Sequence, residues 1–187
     1  MPYKVGVFVG SLSKQSINRR LARALFNLAK GDLELEEIPI GNLPLYNRDF
    51  DSDYPPEGRA LKEAIAKVDA LMFVTPEYNR SVPGGLKNAI DVGSRPYGDS
   101  AFASKPAAVM SISPGALGAF GANHHLRQSL VFLGMPVLQQ PEAYVGGAGS
   151  LFDDQGDVVE SSRPFFEGFI EAFAAWVERI TPAEGDL

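Results

Sequence analysis

Apolar positions along this chain alternate between two periods. Tyr3 to Gly10 is a near-continuous apolar run, and beyond it Ile17, Leu21, Leu25 and Leu28 recur at helical spacing, with Gly31 placed to end the helix. "LELEEIPI" (Leu33 to Ile40) alternates apolar and polar residues, as a half-exposed edge strand does. After a long Gly41 to Gly58 loop, Leu61, Ala64, Ile65 and Val68 mark a second amphipathic helix. "ALMFVT" (Ala70 to Thr75) predicts a central strand, and a helix opens near Pro83 and runs through Asp91. "KPAAVMSIS" (Lys105 to Ser113) predicts a fourth strand, Ala119 to Leu133 a helix, and "MPVLQQPEAYV" (Met135 to Val145) a fifth strand. The last helix starts near Pro164 and carries Phe166, Phe169, Ile170, Phe173, Val177 and Ile180 as its apolar stripe.

Strand and helix alternate throughout, with apolar strands in the middle and an alternating one second in the chain. That order predicts an α/β fold: a doubly wound, five-stranded parallel sheet with helices on both faces. A second strand at the edge fits the flavodoxin-like order 2-1-3-4-5, in which the switch point lies between strands one and three. Ligands bind there, outside the carboxyl ends of the strands. The loops to read are those after Gly10, Thr75 and Ser113.

Composition narrows the chemistry. The 187 residues suit one domain spanning 1–187, and no repeat or linker divides them. A net charge of −6 and pI near 4.9 argue against nucleic acid or anionic membrane as partners. No apolar run has the length of a membrane helix, and "MPYKVGVFVG" reads as a strand rather than a leader. With no cysteine, disulfides and thiolate chemistry are excluded, and a cytoplasmic location is expected. The two histidines, His124 and His125, are neighbours on a helix and point apart, which makes them poor joint metal ligands; no metal site is expected. The redox or group-transfer chemistry of such a chain falls to a cofactor.

The first loop, "GSLSKQSIN", sets Ser11, Ser13, Ser16 and Asn18 at a helix start, where unpaired N–H groups favour an anion. Taken alone, a helix cap at Ser16 with the other serines as loop filler explains it equally well. The loop has neither the Gly-Lys-Ser/Thr ending of a Walker loop nor a G-x-G-x-x-G fingerprint. It is suited to holding a phosphate rather than cleaving one. The second loop, "TPEYNRSVPGGLKNAID", offers Pro76, Glu77, Tyr78 and Asn79 as a rigid turn beside an aromatic surface. The third, "SPGALGAFGAN", offers Ser113 and glycines that permit close backbone approach. A phosphate end and a flat polar end together match the shape of FMN.

These stretches, with "LPLYN" (Leu43 to Asn47) and "SRPYG" (Ser94 to Gly98), resemble the NADPH-dependent FMN reductase family, in particular its quinone and chromate reductase branch. The likeness runs from the first strand to the fourth helix. One departure is Ser13, where many members carry Arg; Lys14 stands beside it. The resemblance implies FMN as cofactor, with Ser11, Ser13, Ser16, Ile17 and Asn18 around its phosphate. It implies Pro76, Glu77, Tyr78 and Asn79 along the isoalloxazine, and Ser113 and Gly115 bordering the ring. NADPH or NADH is the implied electron donor, and the implied activity is two-electron, ping-pong reduction of quinones and other small acceptors such as chromate, ferric complexes or azo compounds. No side chain is expected to be catalytic. Arg48, Arg80 and Arg95 are candidate cations for the nicotinamide cofactor, Arg80 and Arg95 foremost. A homodimer or homotetramer is implied. Two other readings stay open at this point: a flavodoxin-type electron carrier, and a flavin-binding regulatory protein without turnover.

Overall fold

The computed structural model describes residues 1–29 and 31–181. Its sheet has five parallel strands in the order β2-β1-β3-β4-β5: β1 (Tyr3–Val9), β2 (Leu33–Glu37), β3 (Ala70–Thr75), β4 (Ala107–Ile112) and β5 (Ala143–Val145). The helices are α1 (Ile17–Leu28), α2 (Pro56–Ala66), α3 (Gly84–Gly93), α4 (Phe120–Phe132) and α5 (Arg163–Ile180). This is the expected flavodoxin-like, doubly wound architecture. No helix among the described residues is long and apolar enough to cross a membrane.

The pleat of the strands divides the core in two. Val5, Val7, Val9, Met72, Val74 and Met110 face α1 and α5, which bury Leu21, Leu25, Phe166, Phe169 and Phe173 against them. Phe8, Leu71, Phe73 and Val109 face α2, α3 and α4, and meet Leu61, Ile65, Leu86, Ile90, Leu126 and Leu130. Phe8 and Phe73 stack at 5.2 Å between centroids across the β1–β3 pair. Each fully buried side chain of this size contributes roughly 1.5–3 kcal/mol. Gly6 lies on the second face, where a Cβ would come within 2.4 Å of Ile38 Cδ1.

Boundaries differ from expectation where proline or capping intervenes. β2 stops at Glu37 rather than Ile40: Ile38 N still donates to Val7 O, but Pro39 has no N–H to continue the ladder. The fifth strand is split. Ala107 N donates to Pro136 O and Leu138 N to Ala107 O at the start of β4, and only Ala143–Val145 pairs with its end. Between them runs "QQPE", where Pro141 again lacks a donor. α2 begins earlier than its apolar stripe, at Pro56, a residue suited to the first helical turn. The Gly41 to Gly58 loop is therefore shorter than expected, and a 3-10 turn at Arg48–Ser52 occupies its middle.

Candidate functional site

Because the chain leaves β1 toward β2 and returns to place β3 on the other side, the loops after β1 and β3 diverge. A cleft of about 310 Å³ opens between them and the loop after β4. Ser11, Ser13, Gln15, Ser16, Ile17 and Asn18 line it from the first loop, Pro76, Glu77 and Tyr78 from the second, and Ile112, Ser113 and Pro114 from the third. Nine of the expected site residues are thus brought together. Asn79 and Gly115 are not among the lining residues.

At the first wall, Ser16 is the N-cap of α1, and its Oγ accepts the Arg19 N–H at 3.1 Å. Arg20 N donates to the Ser16 carbonyl, so the Ile17 and Asn18 N–H groups lie ahead of the first intrahelical bond. No acidic residue stands in this first turn, leaving its partial positive charge uncompensated from within the helix. Asn18 is 1% exposed, and its amide nitrogen donates to the Ile112 carbonyl at 3.4 Å. Its side chain thereby pins α1 to the end of β4, a task the sequence did not reveal. Arg19, also missed, donates through Nη1 to the Ser13 carbonyl at 3.3 Å and pairs with Glu37 at 3.1 Å. Lys14, the neighbour of Ser13, is exposed.

The second wall is a two-residue turn. Tyr78 N donates to Ser81 O at 3.1 Å and Ser81 N to Tyr78 O at 3.0 Å, while Asn79 and Arg80 both take positive φ, 51° and 63°. This is the backbone of a type I′ turn, natural for asparagine and unusual for arginine. Arg80 is held in it by Glu77, whose Oε1 accepts from Nη1 at 2.8 Å. Burial pushes the Glu77 carboxyl up, but the N–H groups of Ala122 and Gly121 and the Arg80 guanidinium outweigh it and hold it below its ordinary value. Tyr78 N–H is committed to the turn; those of Glu77 and Asn79 have no partner among the described residues.

The third wall turns on itself. Gly115 O accepts from Gly118 N at 3.3 Å and from Ser113 Oγ at 3.2 Å, which directs Gly115 into the loop rather than the cleft. Beneath it, Ser111 Oγ donates to Gly118 O at 2.7 Å, and the fully buried Asn123 joins Ser111 to Arg127. Pro114, Ile112 and Gln15 were not singled out from sequence. Gln15 had a signal, since it sits between two serines already chosen; the other two are recognisable only once β4 is seen to end here.

Arg95 lies elsewhere, in a groove of about 590 Å³ between α3 and α4 that shares Ser81 with the turn. His125 Nδ1 meets Ser81 Oγ at 3.0 Å in that groove, while His124 Nε2 meets the Tyr144 hydroxyl at 2.9 Å. The two histidines point apart as expected. Arg48 begins the 3-10 turn and is exposed. Among the described residues no group of His, Asp and Glu is arranged to hold a metal ion.

The cleft's donors fit a phosphate joined to a flat polar ring. Hydroxyls and free N–H groups gather at the α1 start, and the residue with the unpaired Glu77 N–H shares the opposite side with Pro76, Tyr78 and Pro114. Comparison with known proteins agrees. A family model described as NADPH-dependent FMN reductase matches residues 3–150. A quinone reductase of Pseudomonas putida is 60% identical over 177 residues, covering 94% of this chain and 95% of the relative. A 2-hydroxy-1,4-benzoquinone reductase of Burkholderia sp is 46% identical over 178 residues, covering 95% of this chain and 97% of the relative. Among solved structures, FerB, a flavoenzyme NAD(P)H:(acceptor) oxidoreductase from Paracoccus denitrificans, matches with a TM-score of 0.90 at 43% identity, over 95% of this chain and 98% of that one.

Proposed function

The chain belongs to the NADPH-dependent FMN reductase family, and from that premise we propose that its three-loop cleft is the FMN site of a quinone reductase. The protein is an FMN-dependent NAD(P)H oxidoreductase, and its electron acceptors are small molecules, quinones among them. The observation that carries the site assignment is the convergence of three separate loops on one cleft, with hydroxyls and free N–H groups from the first and an unpaired N–H from the second.

When bound, FMN supplies the chemistry of taking a hydride equivalent from NAD(P)H and releasing two electrons to a quinone. Everything else falls to the chain. The Ser11, Ser13 and Ser16 hydroxyls and the Ile17 and Asn18 N–H groups hold the phosphate at the positive end of α1. Ser16 does this while capping the helix, because its oxygen accepts from Arg19 N and its hydroxyl proton remains free to donate. Pro76, Glu77 and Tyr78 would lie along the ring, with Asn79 completing the turn behind them, and the unpaired Glu77 N–H would stabilise negative charge on its polar edge. Ser113 would border the far side, where Pro114 and Ile112 would exclude water, with Gly115 closing the loop behind it. Arg80 and Arg95 receive the phosphates of the nicotinamide cofactor. The end of α4, where Val131 and Phe132 are exposed, is the contact of a homodimer or homotetramer. The cysteine-free composition supports the cytoplasm as its place of work.

The test is spectroscopic and kinetic. The purified protein takes up one FMN per chain, its visible band bleaches on anaerobic NAD(P)H, and a quinone restores it. Initial rates at varied donor and quinone give parallel double-reciprocal lines. A chain that binds no flavin in a fluorescence titration ends this reading.

A further inference from the structure

Helix α4 begins without a cap of its own. Its N-cap residue, Ala119, sits in the left-handed region at φ 60° and makes no side-chain hydrogen bond. A helix start leaves N–H groups unpaired and partially positive. Here the acceptor comes from a segment 45 residues away in sequence: Glu77 Oε2 takes the Ala122 N–H at 3.1 Å, and the Gly121 N–H also reaches the carboxylate. The identity of Gly121 follows from this approach. A Cβ there would lie 2.9 Å from Glu77 Oε2 and 3.0 Å from the Arg80 carbonyl oxygen, so a side chain would have to displace the carboxylate and press on the turn.

The two segments joined in this way carry two walls of the cleft. Glu77 stands between Pro76 and Tyr78, and α4 is entered from the loop that begins with Ser113 and Pro114. We propose that Glu77 is a positioning residue: its carboxylate, bound to the first turn of α4 and to Arg80, sets the spacing of the second and third loops for the flavin. This rests on the reading of the cleft as an FMN site.

The physical case has three parts. The Glu77 side chain is 10% exposed, so its charged bond to the Ala122 N–H is partly shielded from water, while the Arg80 pair lies at the surface. One carboxylate fixes both lips, since Oε1 holds the Asn79–Arg80 turn in its positive-φ conformation while Oε2 holds α4. Its charge is answered locally. Arg80 and the positive end of α4 face it, and the next titratable groups on α4, His124 and His125, are engaged with Tyr144 and Ser81. The carboxylate therefore stays ionised through the neutral range without presenting an unbalanced negative charge to an anionic cofactor.

Three variants and a control test this: Glu77→Gln, Glu77→Ala, Gly121→Ala, and Lys105→Met. Lys105 donates to the Val68 carbonyl at the opposite end of the sheet, and its loss lowers the apoprotein melting midpoint by about 5 °C without touching the cleft. The readouts are that midpoint, the FMN dissociation constant from fluorescence quenching, and the visible circular dichroism of bound FMN, all measured well below melting. Glu77→Ala is expected to raise the FMN dissociation constant by about tenfold and to change the circular dichroism. Glu77→Gln raises it by about threefold, because the amide oxygen still accepts the Ala122 N–H. Lys105→Met leaves both flavin readouts as in wild type. If the Glu77 variants lower the midpoint as Lys105→Met does and keep wild-type flavin affinity and dichroism, Glu77 only caps a helix and the proposal fails. If Glu77→Ala does not fold, Gly121→Ala decides: it retains the carboxylate but displaces it from its contact with the first turn of α4, and unchanged FMN affinity overturns the proposal. A wild-type protein that binds no FMN is a different result and strikes the flavin reading itself.

Discussion

Ser16 Oγ accepts the backbone N–H of Arg19 at 3.1 Å, so the residue that caps α1 is also one that lines the cleft. Cap and ligand donor are separable by substitution. Ser16→Asp remains a good cap, because aspartate caps as well as serine. It also sets a carboxylate beside the cofactor phosphate. At ~4 Å and an effective dielectric near ~20, a pair of like unit charges costs about 4 kcal/mol before relaxation. A third of that weakens FMN binding by about tenfold. We expect unchanged melting, reduced flavin affinity in a fluorescence titration, and partial recovery in high salt. Ser161→Asp, at an exposed position away from the cleft, leaves affinity unchanged. Wild-type affinity in the Ser16 variant would mean the phosphate lies elsewhere.

Asn88 clamps the loop that follows β2. Its Oδ1 accepts the Tyr46 N–H at 2.8 Å and its Nδ2 donates to the Pro44 carbonyl at 3.0 Å. Asn88→Leu removes both bonds and strands two backbone groups, at a cost of about 1–3 kcal/mol. Urea denaturation reads the loss, and amide exchange at Tyr46 quickens by more than the global change requires. Uniform acceleration across the chain would show that the loop is held by something else.

Alkaline pH loosens the same region. Burial, with Tyr46 and Asp51 nearby, pushes the Tyr54 hydroxyl up to about 12, and that hydroxyl donates to the Val92 carbonyl at the end of α3. A folded value above the unfolded one means stability that is present below pH ~10 and is lost as pH rises toward the folded value. Urea midpoints should fall between pH 10 and 12, alongside the 295-nm absorbance of tyrosinate. Tyr54→Phe lowers the midpoint at pH 8, where it loses the hydrogen bond, and flattens the alkaline decline. An equally steep decline in the variant would assign it to another group.

The proposed subunit contact predicts a mass change. Phe132 is 75% exposed at the end of α4 and borders the α3–α4 groove. Phe132→Glu puts a charge where an apolar contact is expected and disturbs nothing buried in the single chain. Sedimentation at micromolar concentration should shift toward one chain, with the melting of the dissociated form set by its own core. A wild-type protein that already sediments as one chain contradicts the dimer.

Local chemistry was legible in the sequence because its causes are local. Apolar periods set which residues face the sheet, so the centres of the buried faces of α1 and α5 followed from spacing, and the 2-1-3-4-5 order followed from the edge-like second strand together with the rules of doubly wound sheets. The serines before Ile17 marked a helix start whose unpaired N–H groups follow from any helix. The family motifs carried FMN and NAD(P)H with them, since a long stretch such as "PEYNRSVPGG" is specific by itself. What folding decided was which partner each polar group would meet. Asn18 reads as a donor for an anion, yet its amide goes to Ile112, 94 residues away. Glu77 reads as part of a turn, yet it caps α4; Gly115 reads as a lip of the site, yet its carbonyl closes its own loop. These choices depend on strands and helices brought side by side by burial of the two apolar cores. A polar side chain takes the strongest acceptor or donor within reach once water has been excluded, and only the packed chain determines what lies within reach.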